Sequence, residues 1–274
     1  MICKLLGTAA AEGIPALFCE CNVCDDAAKY GSKNIRGRSG ALINEKILID
    51  FPPDIWSYKV KYNLDLAAIT HIFFTHSHLD HLASGELCYS HKMYANRKSP
   101  DAPLYIYGNE KVLDVIRDAF IFDMSYVPEN IVLNKISAFE TVEADGVRVT
   151  ALPAVHDQRE ECLFYLLEQD RKVLIAFDSG EIKDEVYTYL ADKHLDAVVL
   201  DCTFGNLEPR RGVSHMCFKD NVHVKQRLMK QGSATGETTF ISTHFSHNGL
   251  VNYIDFSTMA EGTCFVSAYD GMYV

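Results

Sequence analysis

Residues 75–81 read Thr75-His76-Ser77-His78-Leu79-Asp80-His81 and directly follow the apolar run Ile69 to Phe74. Three histidines and an aspartate in seven residues are costly to bury, so a strand that runs into them points to a metal site at the end of a sheet. His76 and His78, two apart, can point the same way from an extended segment, and Asp80 and His81 fall where the chain turns toward the next element. Three later stretches repeat the pattern of an apolar strand followed by a ligand-type side chain: His156 after LPAV, Asp178 after LIAF and His244 after FIST. A lone histidine is usually a satisfied polar residue, and a lone Asp at a strand end is often a helix cap. Their recurrence around one HxHxDH segment makes coincidence a poor explanation, and imidazoles with carboxylates are a donor set that binds Zn, Mn or Fe.

Around these ends the chain alternates. Strands are expected at Ile2 to Gly7, Thr70 to Thr75, Leu104 to Tyr107, Ala197 to Leu200, Thr239 to Ser242 and Cys264 to Ala268, from their β-branched and apolar content. Hairpins are expected over Ala41 to Phe51, over Val142 to Ala154 around Asp145-Gly146, and over Leu163 to Phe177. Helices are expected at Asp54 to Tyr62, Ala83 to Ala95, Glu110 to Phe120, Lys183 to Lys193 and Met216 to Lys230. The result is a layered α/β fold with chemistry at strand ends. With 274 residues, no repeat and no linker-like stretch, residues 1–274 read as one domain.

Composition narrows the function. A net charge of -11 argues against stable nucleic-acid binding, which needs a basic surface, and favours a small substrate. No apolar run approaches the roughly 18 residues needed to span a bilayer, and the N-terminus lacks a signal-like segment, so a soluble cytoplasmic protein without membrane association is expected. Nine cysteines in so long a chain suit free thiols and a metal site better than disulfides. Three of them fall in Cys19-Glu20-Cys21-Asn22-Val23-Cys24, too acidic for a core segment and spaced for thiolate coordination of a structural zinc in a small loop at 19–24. The fourth ligand is not given by spacing: Cys217, His223 and His247 are all open.

The HxHxDH segment with its distant His, Asp and His resembles the metallo-β-lactamase superfamily over nearly the whole chain. That resemblance implies a four-layer αββα sandwich with two divalent metal ions, Zn or Mn. His76, His78 and His156 would hold one ion, Asp80, His81 and His244 the other, and Asp178 would bridge them. Such a pair, about 3.5 to 4 Å apart, shares a water and supplies a bridging hydroxide. GTAAAEGIP, CECNVC, HSHLDH and THFSH together are similar to the phosphodiesterase of the carbon-phosphorus lyase pathway and its relatives. In that family the last histidine of the THFSH-type segment completes the thiolate zinc, which assigns His247 and leaves His244 and His247 three residues apart on two different sites. Asp80 is expected to be catalytic through the metal centre, and His215 to protonate a leaving alkoxide or orient phosphate. Asp201 is expected to orient a metal-bound histidine or cap a helix. Arg36 and Arg38, or Arg210 and Arg211, are candidate phosphate ligands. His71, His91, His194 and His223 read as surface or core residues.

The expected function is dinuclear metal-dependent hydrolysis of a small, possibly cyclic, phosphodiester. A lactone, thioester or other ester on the same metals is the alternative, and a tRNA-processing nuclease is disfavoured by the acidic balance. Retention of all seven ligand types weighs against a non-catalytic binding module. Redox chemistry is disfavoured because flavin-linked di-iron relatives carry a carboxylate where this chain has His78. A homodimer is compatible with this reading; the sequence does not set the oligomeric state.

Overall fold

The computed structural model describes residues 1–208 and 214–274. In chain order the strands are β1 (Cys3–Gly7), β2 (Gly40–Ile43), β3 (Ile47–Ile49), β4 (His71–Phe73), β5 (Leu104–Gly108), β6 (Ile131–Lys135), β7 (Thr141–Ala144), β8 (Val147–Pro153), β9 (Leu163–Glu168), β10 (Lys172–Ala176), β11 (Ala197–Asp201), β12 (Thr239–Thr243) and β13 (Phe265–Ser267). The helices are α1 (Asn22–Tyr30), α2 (Ile55–Tyr62), α3 (Ser84–Leu87), α4 (Glu110–Met124), α5 (Asp184–Leu190), α6 (Phe218–Gln231) and α7 (Tyr253–Met259). One sheet has the order β1 to β6 and the other runs β13-β12-β11-β10-β9-β8-β7.

Side-chain alternation separates the layers. On β3 and β10, Ile47, Ile49, Val173 and Ile175 join a core between the two sheets, together with Phe73, Val149 and Tyr165. Leu48 and Ile72, on the other face of the first sheet, pack under Ile55 of α2 and Ile116 and Phe120 of α4. Leu174 and Val198, on the far face of the second sheet, meet Val23 of α1, Val186 of α5 and Leu228 of α6. Strands covered on both faces read as continuous apolar runs, which is why ILI and VLIA carry no polar alternation. The layers are therefore helix, sheet, sheet, helix, the αββα sandwich.

Parallel pairing places the chemistry. β3, β4 and β5 run parallel in one sheet, and β10, β11 and β12 in the other. Their carboxyl ends gather Asp50, His76, Asp178, Asp201 and His244 at one edge of the sandwich, where crevices form in such sheets.

Some expected elements differ. The helix expected from Ala83 to Ala95 is only α3 plus a 3₁₀ turn at Cys88–Ser90, because Ser84, Gly85, Ser90 and Asn96 are weak helix formers. Sequence periodicity did not reveal α1, β6 or α7. The long stretch Phe120 to Glu143 is occupied by the end of α4, all of β6 and the start of β7. No helix among the described residues is long and apolar enough to cross a membrane.

Candidate metal centre

The segment after β4 is folded back on itself and pinned to the sheet. The amides of His81 and Leu82 donate to the His78 carbonyl at 3.1 and 2.9 Å, while the Phe51 amide donates to the His81 carbonyl at 2.8 Å. This turn aims three imidazoles and a carboxylate at one space. His76, His78, His156 and Asp178 offer ligand atoms that all lie within 4.8 Å of one another, as do Asp80, His81, Asp178 and His244. Asp178 belongs to both sets. Its Oδ2 lies 3.3 Å from His76 Nε2 and 2.9 Å from His81 Nε2, and its Oδ1 lies 2.6 Å from His244 Nε2. Asp178 and His244 follow their strands with φ of 40° and 57°, left-handed conformations that turn each side chain toward its partners at a cost in backbone strain.

Two buried carboxylates set the tautomers of the imidazoles. Asp50, fully buried after β3, accepts from His81 Nδ1 at 2.7 Å and from the Thr75 amide and hydroxyl. The Thr75 hydroxyl in turn lies 2.9 Å from His76 Nδ1. Asp201, at the end of β11, accepts from His215 Nδ1 at 2.8 Å and from the Thr203 hydroxyl at 3.2 Å, and that hydroxyl lies 2.9 Å from His244 Nδ1. His156 Nδ1 meets the Ser214 carbonyl, and His78 Nε2 meets Asp157. These partners assign the proton of each ring to its outer nitrogen and leave the inner lone pair facing Asp178. Burial, followed by the neighbouring His81 ring, pushes His76 well below the ordinary imidazole range, so it remains the neutral donor a cation requires.

The residues fit a pair of cations on one further observation. His76 Nε2, His81 Nε2, His244 Nε2 and Asp178 Oδ1 are buried and have no hydrogen-bond partner. The 2.6 and 2.9 Å approaches to Asp178 are close without hydrogen-bond geometry, the relation expected of ligands that share a cation. Nitrogen and carboxylate donors in this number suit Zn or Mn. The Asp50→Asn substitution should weaken metal binding by roughly 10- to 100-fold, because it removes an acceptor that orients His81 and, through Thr75, His76. Isothermal titration of chelator-treated protein measures this.

His215 lies at the rim, its Nδ1 3.7 Å from Asp178 Oδ1. Burial lowers its pKa, but Asp201 and then Asp178 outweigh that and raise it to about 9. The ring is thus a cation with Nδ1 held and Nε2 left for a substrate. Asp201 plays the orienting part expected of it, directly on His215 and through Thr203 on His244. Asp50, Thr75 and Thr203 escaped the sequence reading. The cue for Asp50 was present, since it follows ILID as Asp178 follows LIAF.

A second cluster brings Cys19, Cys21, Cys24 and His247 within 4.8 Å of one another. His247 Nδ1 lies 3.3 Å from Cys19 Sγ and 3.4 Å from Cys21 Sγ, near the separation of two ligands on one tetrahedral zinc. The other ring nitrogen faces Glu12 Oε1 at 3.5 Å, and the Ala16 amide donates to Cys24 Sγ. Neither competitor for the fourth position joins the cluster: Cys217 caps α6 and His223 lies exposed on that helix. The segment between His244 and His247 is fastened to the N-terminal turn, with Phe245 donating to Thr8 and accepting from Ala10. The Cys21→Ser substitution should remove one zinc and lower the melting temperature by about 10 °C or more, because a closed thiolate site couples metal binding to folding. Elemental analysis and calorimetry read the two effects.

The phosphate role expected of Arg36 is not supported. Arg36 is buried and directs its guanidinium to Thr8, Ser267 and the Ala268 carbonyl, stacked 4.4 Å over Phe245. Arg38 pairs with Asp54. Arg210 and Arg211 lie outside the described residues. Of the remaining histidines, His71 stacks on Tyr105 and His91 meets the Tyr126 hydroxyl, while His194 is exposed.

The fold and the site together define a metal-dependent hydrolase of the metallo-β-lactamase fold. The chain belongs to the β-lactamase superfamily: residues 45–245 match the family described as Beta-lactamase superfamily domain. Among solved structures, a diphosphatase from the PhnP family is 21% identical over 100% of this chain and 97% of its own, with a TM-score of 0.77. Zn(2+)-bound PqqB from Methylobacterium extorquens is 18% identical over 100% of this chain and 99% of its own, with a TM-score of 0.70. Likeness at these identities establishes the fold. A protein named octanoyltransferase from Porphyromonas gingivalis (strain ATCC BAA-308 / W83) is 29% identical over 126 residues, which is 43% of this chain and 22% of that protein. The match thus spans about a fifth of that relative's length.

Proposed function

We propose that this protein hydrolyses a small phosphodiester, cyclic or linear, with two divalent cations held in the histidine and aspartate ring. His76, His78 and His156 would hold one ion, Asp80, His81 and His244 the other, with Asp178 between them, and a zinc would occupy the cluster of Cys19, Cys21, Cys24 and His247. The observation that carries this reading is the inward lone pairs of the ring, buried and without partners around Asp178. When bound, such a pair of ions supplies Lewis acidity and activates water for attack.

The protein's own groups supply the rest. Asp50 and Asp201 hold the imidazoles in place before substrate arrives, which lowers the reorganisation needed during reaction. His215, kept cationic by Asp201, neutralises charge on the phosphate and gives its Nε2 proton to the departing alkoxide. Beside the ring runs a groove of about 940 Å³ lined by His78, His156, Arg159, Lys183, Phe139 and Phe204, a size suited to a small molecule. Its two cations favour an anionic group and its two phenyl rings an apolar or planar substituent. The likeness to a diphosphatase structure adds support for phosphate chemistry.

Rates on bis-p-nitrophenyl phosphate, cyclic nucleotides, cyclic ribose phosphates and lactones, with added Mn or Zn, test the reading. Hydrolysis of phosphodiesters is expected. Activity on lactones alone would replace this reading with carboxylic ester hydrolysis on the same centre.

A further inference from the structure

A second cavity lies on the opposite face of the first sheet, between α2 and the chain that follows α3. It holds about 320 Å³ and shares no lining residue with the groove beside the metal centre. Its walls are apolar: Phe51, Ile55, Ile69, Ile72, Leu87 and Leu104 contribute to them. A water-filled pocket with such walls is unfavourable, so an apolar occupant gains the free energy of desolvating both surfaces.

Polar groups occur at few points in this lining, and they converge on one kind of ligand. Lys59 and Arg97 border the cavity, and neither makes an ion pair with a carboxylate among the described residues. Each gives a donor to a backbone carbonyl, Lys59 to Leu64 and Arg97 to Ala67, which fixes the side chain and leaves further donors open. The Ser90 hydroxyl, also in the lining, is buried without a hydrogen-bond partner. Glu86 is the one acid in the lining and is exposed. Two cations and an unpaired hydroxyl beside an apolar chamber match a molecule with one anionic head and one apolar tail.

We infer that this cavity binds a single-chain anionic amphiphile, its tail among Phe51, Ile55 and Leu104 and its carboxylate or phosphate head at Lys59 and Arg97. The protein carries its own reporter: Trp56, its only tryptophan, lines the same cavity. Decanoate and decyl phosphate, titrated below their micelle concentrations into the intact protein, should each give a saturable change in Trp56 emission. Decanol, and decanoate with the Lys59→Gln/Arg97→Gln double variant, should bind about 10-fold more weakly, the scale of one lost charge-assisted hydrogen bond. Ala95→Phe, which fills the cavity rim, should abolish the response. The surface double variant keeps the test decisive if Ala95→Phe fails to fold. Absence of a saturable response, equal affinity for decanol, or a response undiminished in Ala95→Phe would each overturn the inference.

Discussion

Asp178→Ala should abolish hydrolysis of every substrate, by on the order of 10⁴-fold or more, the scale seen when one member of a catalytic unit is removed. Asp178 is the only side chain common to both four-residue groups, and its two oxygens approach His76, His81 and His244 within 3.3 Å. Without it, four imidazoles and Asp80 face one space with no shared anion, and mutual repulsion of two cations is no longer offset there. Elemental analysis should therefore show fewer catalytic metal ions per chain, while the thiolate-bound zinc remains. Retention of full metal content with lost activity would remove Asp178 from the bridging position.

His215→Ala should behave differently. The ring touches Asp201 and approaches Asp178, but it belongs to the rim, and its Nε2 is left for substrate. As the proton donor, it should be worth on the order of 10² to 10⁴ in rate for a poor alkoxide leaving group and far less for p-nitrophenolate, which departs unprotonated. Asp201→Asn should reproduce part of that selective loss, since it removes the carboxylate that keeps His215 charged. Metal content should stay at the wild-type level in His215→Ala. Equal losses on both leaving groups would assign His215 to phosphate positioning, and loss of metal would make it a ligand.

The ligand-type residues were legible in the sequence for a physical reason. An imidazole or carboxylate at the end of a fully apolar strand has few structural uses, and five such strand ends converge once the parallel strands are aligned. The orienting shell was much less legible. Asp50, Thr75 and Thr203 act through contacts that exist only when turns from separate strands meet, and a single Asp or Thr after a strand reads equally well as a cap. Arg36 was misjudged for a similar reason: its partners Thr8, Ser267 and Ala268 are distant in sequence, and nothing local to Arg36 announces its burial.

Errors in the secondary structure have local causes. In α1 the three closely spaced cysteines drew a loop reading, yet Cys21 stands at the N-cap and Cys24 lies inside the helix. For α7 the cue was available, since Asn252 and Asp255 form a capping box whose side chains bond each other's amides. In α3 the apolar spacing suggested a longer helix than Ser84, Gly85 and Ser90 sustain.

The central claim is that two cations at this ring drive phosphodiester hydrolysis. Its most direct test is to strip the catalytic ions with mild chelator, leave the thiolate zinc in place, and follow bis-p-nitrophenyl phosphate hydrolysis as Mn is added in measured equivalents. Activity should rise to its plateau at two equivalents per chain. A plateau at one equivalent, or no hydrolysis at any metal content, would contradict the account.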